Sequence, residues 1–324
     1  MLRWGLIAPG GIAGKFADAL TALPDHRLTR VAGRDFGRAQ AFAARFGAQA
    51  VADPAQMCAM DDVDIVYVAS PHSAHAEQAR LALAAGKPVL CEKSLTPDRA
   101  SSQALCEDFR GRGLFLMEAV WSRFQPGWRR VIDLLQGGSI GRVQRIHSSF
   151  CMKPAYDPRS RLFDPLLAGG ALLDIGIYNL SLSQFAMQAA GQGGVTRFDI
   201  DGELAPTGVE QRVEGALFFE GGARASFVCR LDGCSDNQML IEADAGWIRL
   251  HSGFWHAQQL SWQSADGARQ DEAHAFLRNG MEYEAQACAE ALRQGWLEHP
   301  LMPHADTLAT LALIDAMRAQ LGAR

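Results

Sequence analysis

The pattern of apolar and polar positions changes character near Trp121. Before it, short runs rich in β-branched and aliphatic residues alternate with longer alanine-rich stretches of helical period. RWGLIA (3–8), HRLTRVAGR (26–34), DIVYVAS (64–70), Pro88–Cys91 and Leu114–Glu118 read as strands, with a brief one at Ala50-Val51. Between them Ile12–Leu23, Arg38–Phe46, Ala55–Met60, His75–Ala85 and Pro97–Arg110 read as helices, several closed by a following Gly or Pro. Apolar strands separated by helices imply a parallel sheet covered on both faces, so residues 1–120 read as a doubly wound α/β domain of Rossmann type.

After Trp121 the apolar positions recur with period two, in VQRIHSSFCMK (143–153), RVEGALFFEG (212–221), GARASFVCRL (222–231), QMLIEADAGWIRLH (238–251) and around Gln258–Trp262. FEGGARA and ADAGW carry hairpin glycines. One helix, Gly170–Met187, leads into these strands, and Tyr283–Arg293 and Ala305–Leu321 close the chain. Residues 121–324 therefore read as a C-terminal α+β domain with an open, mostly antiparallel sheet. A sheet face without covering helices must be buried somewhere, which predicts a homodimer.

Composition narrows the functional classes. Apolar residues make up 48% of the chain and charged residues 21%, an ordinary globular balance. The 31 basic and 36 acidic residues leave a net charge of −5 without a basic stripe, which argues against nucleic acid or an anionic membrane as partner. Seven cysteines with no C-x-x-C pair and no metal-ligand spacing predict reduced thiols, no metal site and a cytoplasmic protein. Gly, Pro or a charge interrupts every long apolar stretch, and no charged-then-apolar leader precedes the first strand.

The first strand runs into WGLIAPGGIAGKFADAL (4–20), a degenerate form of the G-x-G-x-x-G/A turn with Ala8, Gly10 and Ala13 at its three positions. Gly10 meets the need for close approach by a pyrophosphate, and Ala8 costs about 1 kcal/mol unless its φ stays negative. Pro9 removes one N–H, but those of Gly10, Gly11 and Ile12 still point an anion toward the helix N-terminus. At the end of the second strand stands GRDFGR (33–38), where an NAD site would place a carboxylate for the ribose 2′-OH. Arg34 can fork onto a 2′-phosphate, with Arg38 one turn later, so loop and arginines together predict NADP(H) rather than NAD(H). The side chain of Asp35 should point away from its neighbour's.

Several further stretches carry a resemblance. YVASPHSAHAEQARLALAAGKPVLCEKSL (67–95), MEAVWSRFQP (117–126), RLFDPLLAGGALLDIGIYNLSLS (161–183) and PLMPHADTLATLALIDAMR (300–318) resemble, in order, the motifs of the glucose–fructose oxidoreductase / inositol dehydrogenase (Gfo/Idh/MocA) family. They are most similar to the branch of dimeric dihydrodiol dehydrogenase and NADP-dependent xylose dehydrogenase. The match is weakest between 192 and 280. The resemblance implies hydride exchange between a nicotinamide and a carbinol carbon of a sugar or cyclic vicinal diol. It puts the motif lysine at Lys93, after Glu92, the helix aspartate at Asp174, and the branch's tyrosine at Tyr178. Ser70, Pro71, His72 and His75 fall on the loop bordering the cofactor. Trp121 and Arg123 match positions near the nicotinamide and substrate, while Trp121, Phe124 and Trp128 read equally as a sugar-stacking wall or as core.

The chemistry of these residues agrees with the resemblance. Asp174 and Tyr178 lie four apart on an expected helix and so share a face. Gly169 and Gly170 before them would let the backbone approach a flat ring. A free phenol is a poor base at neutral pH. A lysine about 4 Å away, at an effective dielectric near 20, favours phenolate by ~4 kcal/mol, or roughly three pKa units before desolvation. Tyr178 as acid/base, Lys93 as electrostatic partner and Asp174 as substrate orienter make a working set. The family's E-K-P is Glu92-Lys93-Ser94 here, and a cis bond before a non-proline residue costs about 2.5–4 kcal/mol, so a trans Lys93–Ser94 bond is expected. The alternative is a non-catalytic NADP(H)-binding regulator on the same fold. It predicts a broken catalytic set, and only Ser94 departs from the pattern.

Overall fold

The computed structural model describes residues 1–323, which form two compact units: Met1–Trp121 with Leu277–Leu311, and Ser122–Phe276 with the segment from Ala312 onward. In the first unit β1 (Leu2–Ile7), β2 (His26–Ala32), β3 (Gln49–Val51), β4 (Ile65–Val68), β5 (Val89–Glu92) and β6 (Leu116–Ala119) form one parallel sheet in the order β3-β2-β1-β4-β5-β6. Helices α1 (Gly11–Leu20), α2 (Phe36–Arg45), α3 (Pro54–Cys58), α4 (His75–Ala84) and α5 (Arg99–Gly111) make the connections. β4, β5 and β6 are buried at every residue, as continuous apolar strands under helices must be. Strand order reverses between β1 and β4, and ligands of open α/β sheets bind at such a switch point.

The late segment of this unit returns to the sheet. The Leu116 N–H donates to the Leu297 carbonyl at 3.0 Å, and the Thr307 hydroxyl donates to Glu118 Oε2 at 2.7 Å. Asn279 Nδ2 donates to the Lys15 carbonyl on α1 at 2.9 Å.

The second unit opens with α6 (Pro126–Gln136), a helix that the reading of the sequence leaves out. It is followed by β7 (Val143–Cys151) and, after a π-helical turn at Leu172–Gly176, by α7 (Ile177–Ala189). The expected single helix over 170–187 is thus two pieces of different winding. Seven further strands follow: β8 (Val195–Leu204), β9 (Glu210–Phe219), β10 (Arg224–Arg230), β11 (Met239–Ala243), β12 (Gly246–Leu250), β13 (Gln259–Ser264) and β14 (Gln270–Ala273). With β7 they make an eight-stranded sheet in the order β14-β13-β12-β11-β7-β10-β9-β8, antiparallel at every joint except β7–β10. Helices α8 (Glu282–Gln294) and α9 (His304–Leu321) end the chain.

One face of this sheet is core. Ile146, Val213, Leu217, Phe227, Cys229, Ile241 and Ile248 are buried, and α7 packs on the same side of β7 and β10. The apolar run Pro165–Ala189 is long and apolar enough to cross a membrane, yet 89% of its most apolar window is buried in the fold. It is the core helix of this unit.

Candidate active site

In the first unit the candidate residues gather at one edge of the parallel sheet, because each follows the carboxyl end of a strand. Ala8 follows β1, Arg34 follows β2, Ser70 and Pro71 follow β4, and Lys93 follows β5. The ends are tied together: the Ala8 N–H donates to the Ala32 carbonyl at 2.9 Å and the Ala69 N–H to the Ile7 carbonyl at 3.1 Å. Ala8 adopts φ 68°, the left-handed region, so the strain set against a negative φ is present. Pro9 is buried and Gly10 caps α1 in extended conformation. Gly11 and Ile12 are exposed, and a Cβ on Gly11 would meet nothing within 4 Å. This ten-residue helix presents a bare, open N-terminus, which fits an anionic pyrophosphate.

Arg34 and Arg38 are exposed beside that edge. The Asp35 carboxylate caps α2, accepting the Arg38 N–H at 3.0 Å. His75 is a clamp. It is fully buried, with Nδ1 2.9 Å from the Ser94 carbonyl and Nε2 2.7 Å from that of Ser70, and burial holds its pKa below the usual imidazole range. His72 is also buried, its ring edge-on to that of His75 at 5.7 Å.

Lys93 is half-buried and follows a buried carboxylate. Glu92 accepts from the Tyr67 hydroxyl at 2.5 Å and from the Lys93 N–H at 3.2 Å. Glu284 of α8 lies in the same interior, and its pKa is pushed well up by burial and by the charge of Glu92. Tyr67 and Glu284 escape the sequence reading, since an apolar strand and a helix give no sign that they share one interior. The Lys93–Ser94 peptide is cis, which corrects the expected trans bond. Its surroundings, rather than the residue type, account for the isomer: Ser94 is fully buried, its carbonyl faces His75, and the next N–H, of Leu95, donates to Glu118 Oε1 at 2.9 Å. Trp121, at the end of this unit, is half-buried.

In the second unit Asp174 sits in the π turn and Tyr178 in the first turn of α7, and both are buried. Asp174 Oδ1 accepts from Arg161 Nη1 at 2.5 Å. The ring of Tyr178 lies 5.8 Å from that of Phe150 and 6.5 Å from that of Trp255, while Phe150 and Trp255 stack at 3.5 Å with planes 4° apart. Both are half-buried, so they form an aromatic wall beside the phenol, of which the sequence reading misses Phe150. The only available signal for Trp255 was the cluster Phe254-Trp255-His256, here a short 3-10 turn fixed by the Trp128 indole donating to the Phe254 carbonyl at 2.7 Å.

The other aromatic candidates go to the core: Trp128 is fully buried and Phe124 is 7% exposed. Arg123 is buried, its Nη2 donating to Ser181 Oγ at 3.0 Å and its guanidinium lying 4.6 Å above the Phe185 ring.

The glycine pair before the π turn has another use than admitting a flat ring. A Cβ on Gly169 would meet the Leu162 carbonyl at 2.8 Å, and one on Gly170 would meet Glu210 Oε1 at 2.4 Å. The space over these glycines belongs to the strap at 157–168 and to a buried carboxyl. Glu210 accepts the Leu172 N–H at 3.1 Å, and burial raises its pKa against the lowering influence of Arg318.

Residues 2–120 match the oxidoreductase family with an NAD-binding Rossmann fold, and residues 128–249 match the GFO/IDH/MocA C-terminal domain. The trans-1,2-dihydrobenzene-1,2-diol dehydrogenases of Mus musculus and Homo sapiens are 31% and 30% identical to the chain, each over 99% of it and 97% of the relative. KijD10, a 3-ketoreductase from Actinomadura kijaniata solved with NADP and TDP-benzene, has a TM-score of 0.84 at 28% identity, covering 98% of this chain and 97% of that one. An aldose-aldose oxidoreductase from Caulobacter crescentus shares the fold, with a TM-score of 0.86 at 23% identity over 99% and 98% of the two chains.

Proposed function

The chain belongs to the GFO/IDH/MocA oxidoreductase family, and from that premise we propose which of its residues bind the cofactor and carry the chemistry. It is an NADP(H)-dependent oxidoreductase that exchanges hydride with a carbinol carbon of a sugar or a vicinal diol. When bound, the nicotinamide supplies the redox chemistry, accepting the hydride in oxidation and returning it in reduction. The residues of the chain bind, orient and move the proton.

The open N-terminus of α1, from Gly10 to Ile12, takes the pyrophosphate, and Arg34 with Arg38 takes the 2′-phosphate. The loop 70–75 and Glu92 border the cofactor. Tyr178, as phenolate, accepts the hydroxyl proton while the C–H electrons leave as hydride, and the carbinol becomes a carbonyl. Lys93 stabilises the phenolate, and Asp174 accepts a hydrogen bond from a neighbouring substrate hydroxyl. Trp121, Arg123 and Phe124 border the substrate region, the last two from within the packing.

The observation that most supports this reading is the placement of Asp174 and Tyr178 on successive turns, one paired with Arg161 and the other beside the Phe150–Trp255 wall. Such a wall suits the apolar face of a sugar or a cyclic diol. The test is a screen of aldoses, inositols and dihydrodiols for NADP⁺ reduction. No turnover with any of them, alongside NADP(H) binding, would favour the regulator instead.

Cofactor choice gives a sharper test. Arg34→Ala is expected to weaken NADP⁺ binding roughly 10- to 100-fold, the worth of a charge-assisted fork, with NAD⁺ affinity nearly unchanged. Equal losses for both dinucleotides in a fluorescence titration would sink the 2′-phosphate assignment.

The protein is further proposed to be a homodimer of the reducing cytoplasm. All seven cysteines are free, in keeping with such a compartment. The sheet face opposite α7 carries a groove of about 330 Å³ lined by half-buried side chains such as His147, Ser226 and Arg249. Light scattering at micromolar concentration should give twice the chain mass, and the chain mass alone would refute the dimer.

A further inference from the structure

At the end of β7 next to the aromatic wall, β11 pairs Met239 with Ser148, and the Ser149 N–H extends the ladder by donating to the Gln238 carbonyl at 3.1 Å. The next β7 residue to need a partner on this side is Cys151, which is buried and follows Phe150 of the wall. There the chain leading into β11 turns aside. Asn237 takes the left-handed conformation, φ 54°, which asparagine tolerates better than most residues with a Cβ. Its side-chain amide stands in for the missing peptide: Oδ1 accepts the Cys151 N–H at 2.8 Å, and Nδ2 donates to the Cys151 carbonyl at 3.2 Å. A planar amide supplies both a neutral donor and a neutral acceptor, as a strand partner would. Ser235 braces it, its hydroxyl donating to Asn237 Oδ1 at 3.0 Å and accepting the Asn237 N–H at 3.2 Å.

Because the side chain serves β7, the main-chain carbonyl of Asn237 can serve a second element. It accepts the Gly253 N–H at 2.8 Å and the Phe254 N–H at 3.3 Å, at the start of the turn Phe254–His256 that carries Trp255. One residue is therefore bonded next to Phe150 on one side and next to Trp255 on the other, and those two rings stack at 3.5 Å. Two further bonds hold the turn, from the Trp128 indole to the Phe254 carbonyl at 2.7 Å and from the Ser122 hydroxyl to the Trp255 carbonyl at 2.5 Å. Their donors lie on α6 and in the short turn before it, so neither bond ties Trp255 to β7.

We propose that Asn237 is a positioning residue for the substrate wall: it registers the turn bearing Trp255 against the end of β7 bearing Phe150, and so sets the affinity of the site for ring-shaped substrates. This rests on the reading of the Phe150–Trp255 wall given above. Without the amide, the turn keeps its bonds to Trp128 and Ser122 but loses its fixed distance from Phe150. The loss acts on substrate binding, through Trp255, and leaves proton transfer at Tyr178 in place.

The experiment compares wild type, Asn237→Gly, Trp255→Ala and the double variant on the best cyclic substrate of the screen. Glycine adopts the left-handed conformation freely, so Asn237→Gly removes the clamp and spares the backbone. Trp255→Ala should raise KM roughly tenfold or more, and Asn237→Gly about fivefold, the worth of an aromatic contact and of a net hydrogen bond. In Asn237→Gly kcat should change by less than about threefold, as expected when ground-state and transition-state binding are lost together. On the Trp255→Ala background Asn237→Gly should add less than about twofold, because a residue that acts through the indole has nothing left to position. A readout free of turnover is the near-ultraviolet circular dichroism that disappears in Trp255→Ala; Asn237→Gly should lose much of the same signal, and this comparison decides the positioning of Trp255 even if the screen yields no substrate. Wild-type KM and near-ultraviolet signal in Asn237→Gly, beside a raised KM in Trp255→Ala, would overturn the proposal and leave the wall reading standing. Fully additive penalties in the double variant would overturn it too. A wild-type KM in Trp255→Ala would overturn the wall reading and the proposal together. Far-ultraviolet spectra separate these results from a folding defect, and Ser235→Ala, which removes only the brace and should shift KM in the same direction, carries the test if Asn237→Gly does not fold.

Discussion

Replacing Tyr178 by phenylalanine is expected to lower kcat at least a hundredfold while leaving NADP⁺ affinity unchanged. The substitution removes one hydroxyl and keeps the ring. The contacts with Phe150 and Trp255 are made by the ring, so the aromatic wall and the start of α7 should stand as before. What disappears is the proton acceptor, and positioned acid–base help is worth at least about a hundredfold, or ~2.7 kcal/mol of barrier. Lys93→Met should lower turnover too, and should shift the pH at which activity rises to higher values, because an isolated phenol ionises only near pH 10. Steady-state kinetics across pH, with a separate binding titration of cofactor, distinguishes a lost proton acceptor from a lost nucleotide site. A Tyr178→Phe enzyme that turns over normally would end the proposed mechanism, whatever the family membership.

The parallel sheet was legible because its strands are buried on both faces. Ile65–Val68 and Val89–Glu92 are wholly interior, so nothing in their surroundings competes with the apolar run that announces them. The edges of the second sheet were not legible for the opposite reason. Val195–Leu204 carries Arg197, Asp199, Asp201 and Glu203 at alternate positions, and β14 is Gln-Asp-Glu-Ala, so both owe their extended form to pairing with β9 and β13 rather than to composition. Helix α6 did leave a signal. Trp128, Val131, Ile132 and Leu135 are spaced as one helical face and are buried, with Pro126 in the first turn.

Within the site, the groups proposed to hold the cofactor could be picked out from the loop itself, since the first-turn N–H groups and the arginines after β2 are local features. The π turn could not. Residues 174 and 178 fit one face of an α-helix equally well, and the wider turn is set by neighbours far along the chain, Cys229 and Glu210. The same holds for the return of residues 277–311 to the first unit, whose hydrogen bonds, such as Leu116 to Leu297, span distances over which periodicity carries no information.

Gly170→Ala is expected to destabilise the second unit by about 2–6 kcal/mol, and to do so at the site. Two costs combine. Gly170 holds φ 122°, a region that L side chains rarely adopt, worth about 1–3 kcal/mol. The new methyl would also meet the Glu210 carboxyl at 2.4–2.8 Å, and overpacking of a closed core costs about 1–3 kcal/mol more. Glu210 has little room to yield, being fully buried and bonded through Oε1 to the Leu172 N–H. If it moves, the turn loses a hydrogen bond just before Asp174; if it stays, the backbone at Gly170 must shift, and with it the strap that carries Arg161. A loss of this size is a large part of what an ordinary domain has to spare. Gly111→Ala on α5 is the control, since its Cβ would meet nothing within 4 Å and alanine suits a helix, so a gain of about 0.5–1 kcal/mol is expected there. Urea unfolding of the two variants decides the matter. A Gly170→Ala protein with the wild-type midpoint would mean that neither the φ nor the Glu210 contact constrains the turn, and the account of how Asp174 is held would fall with it.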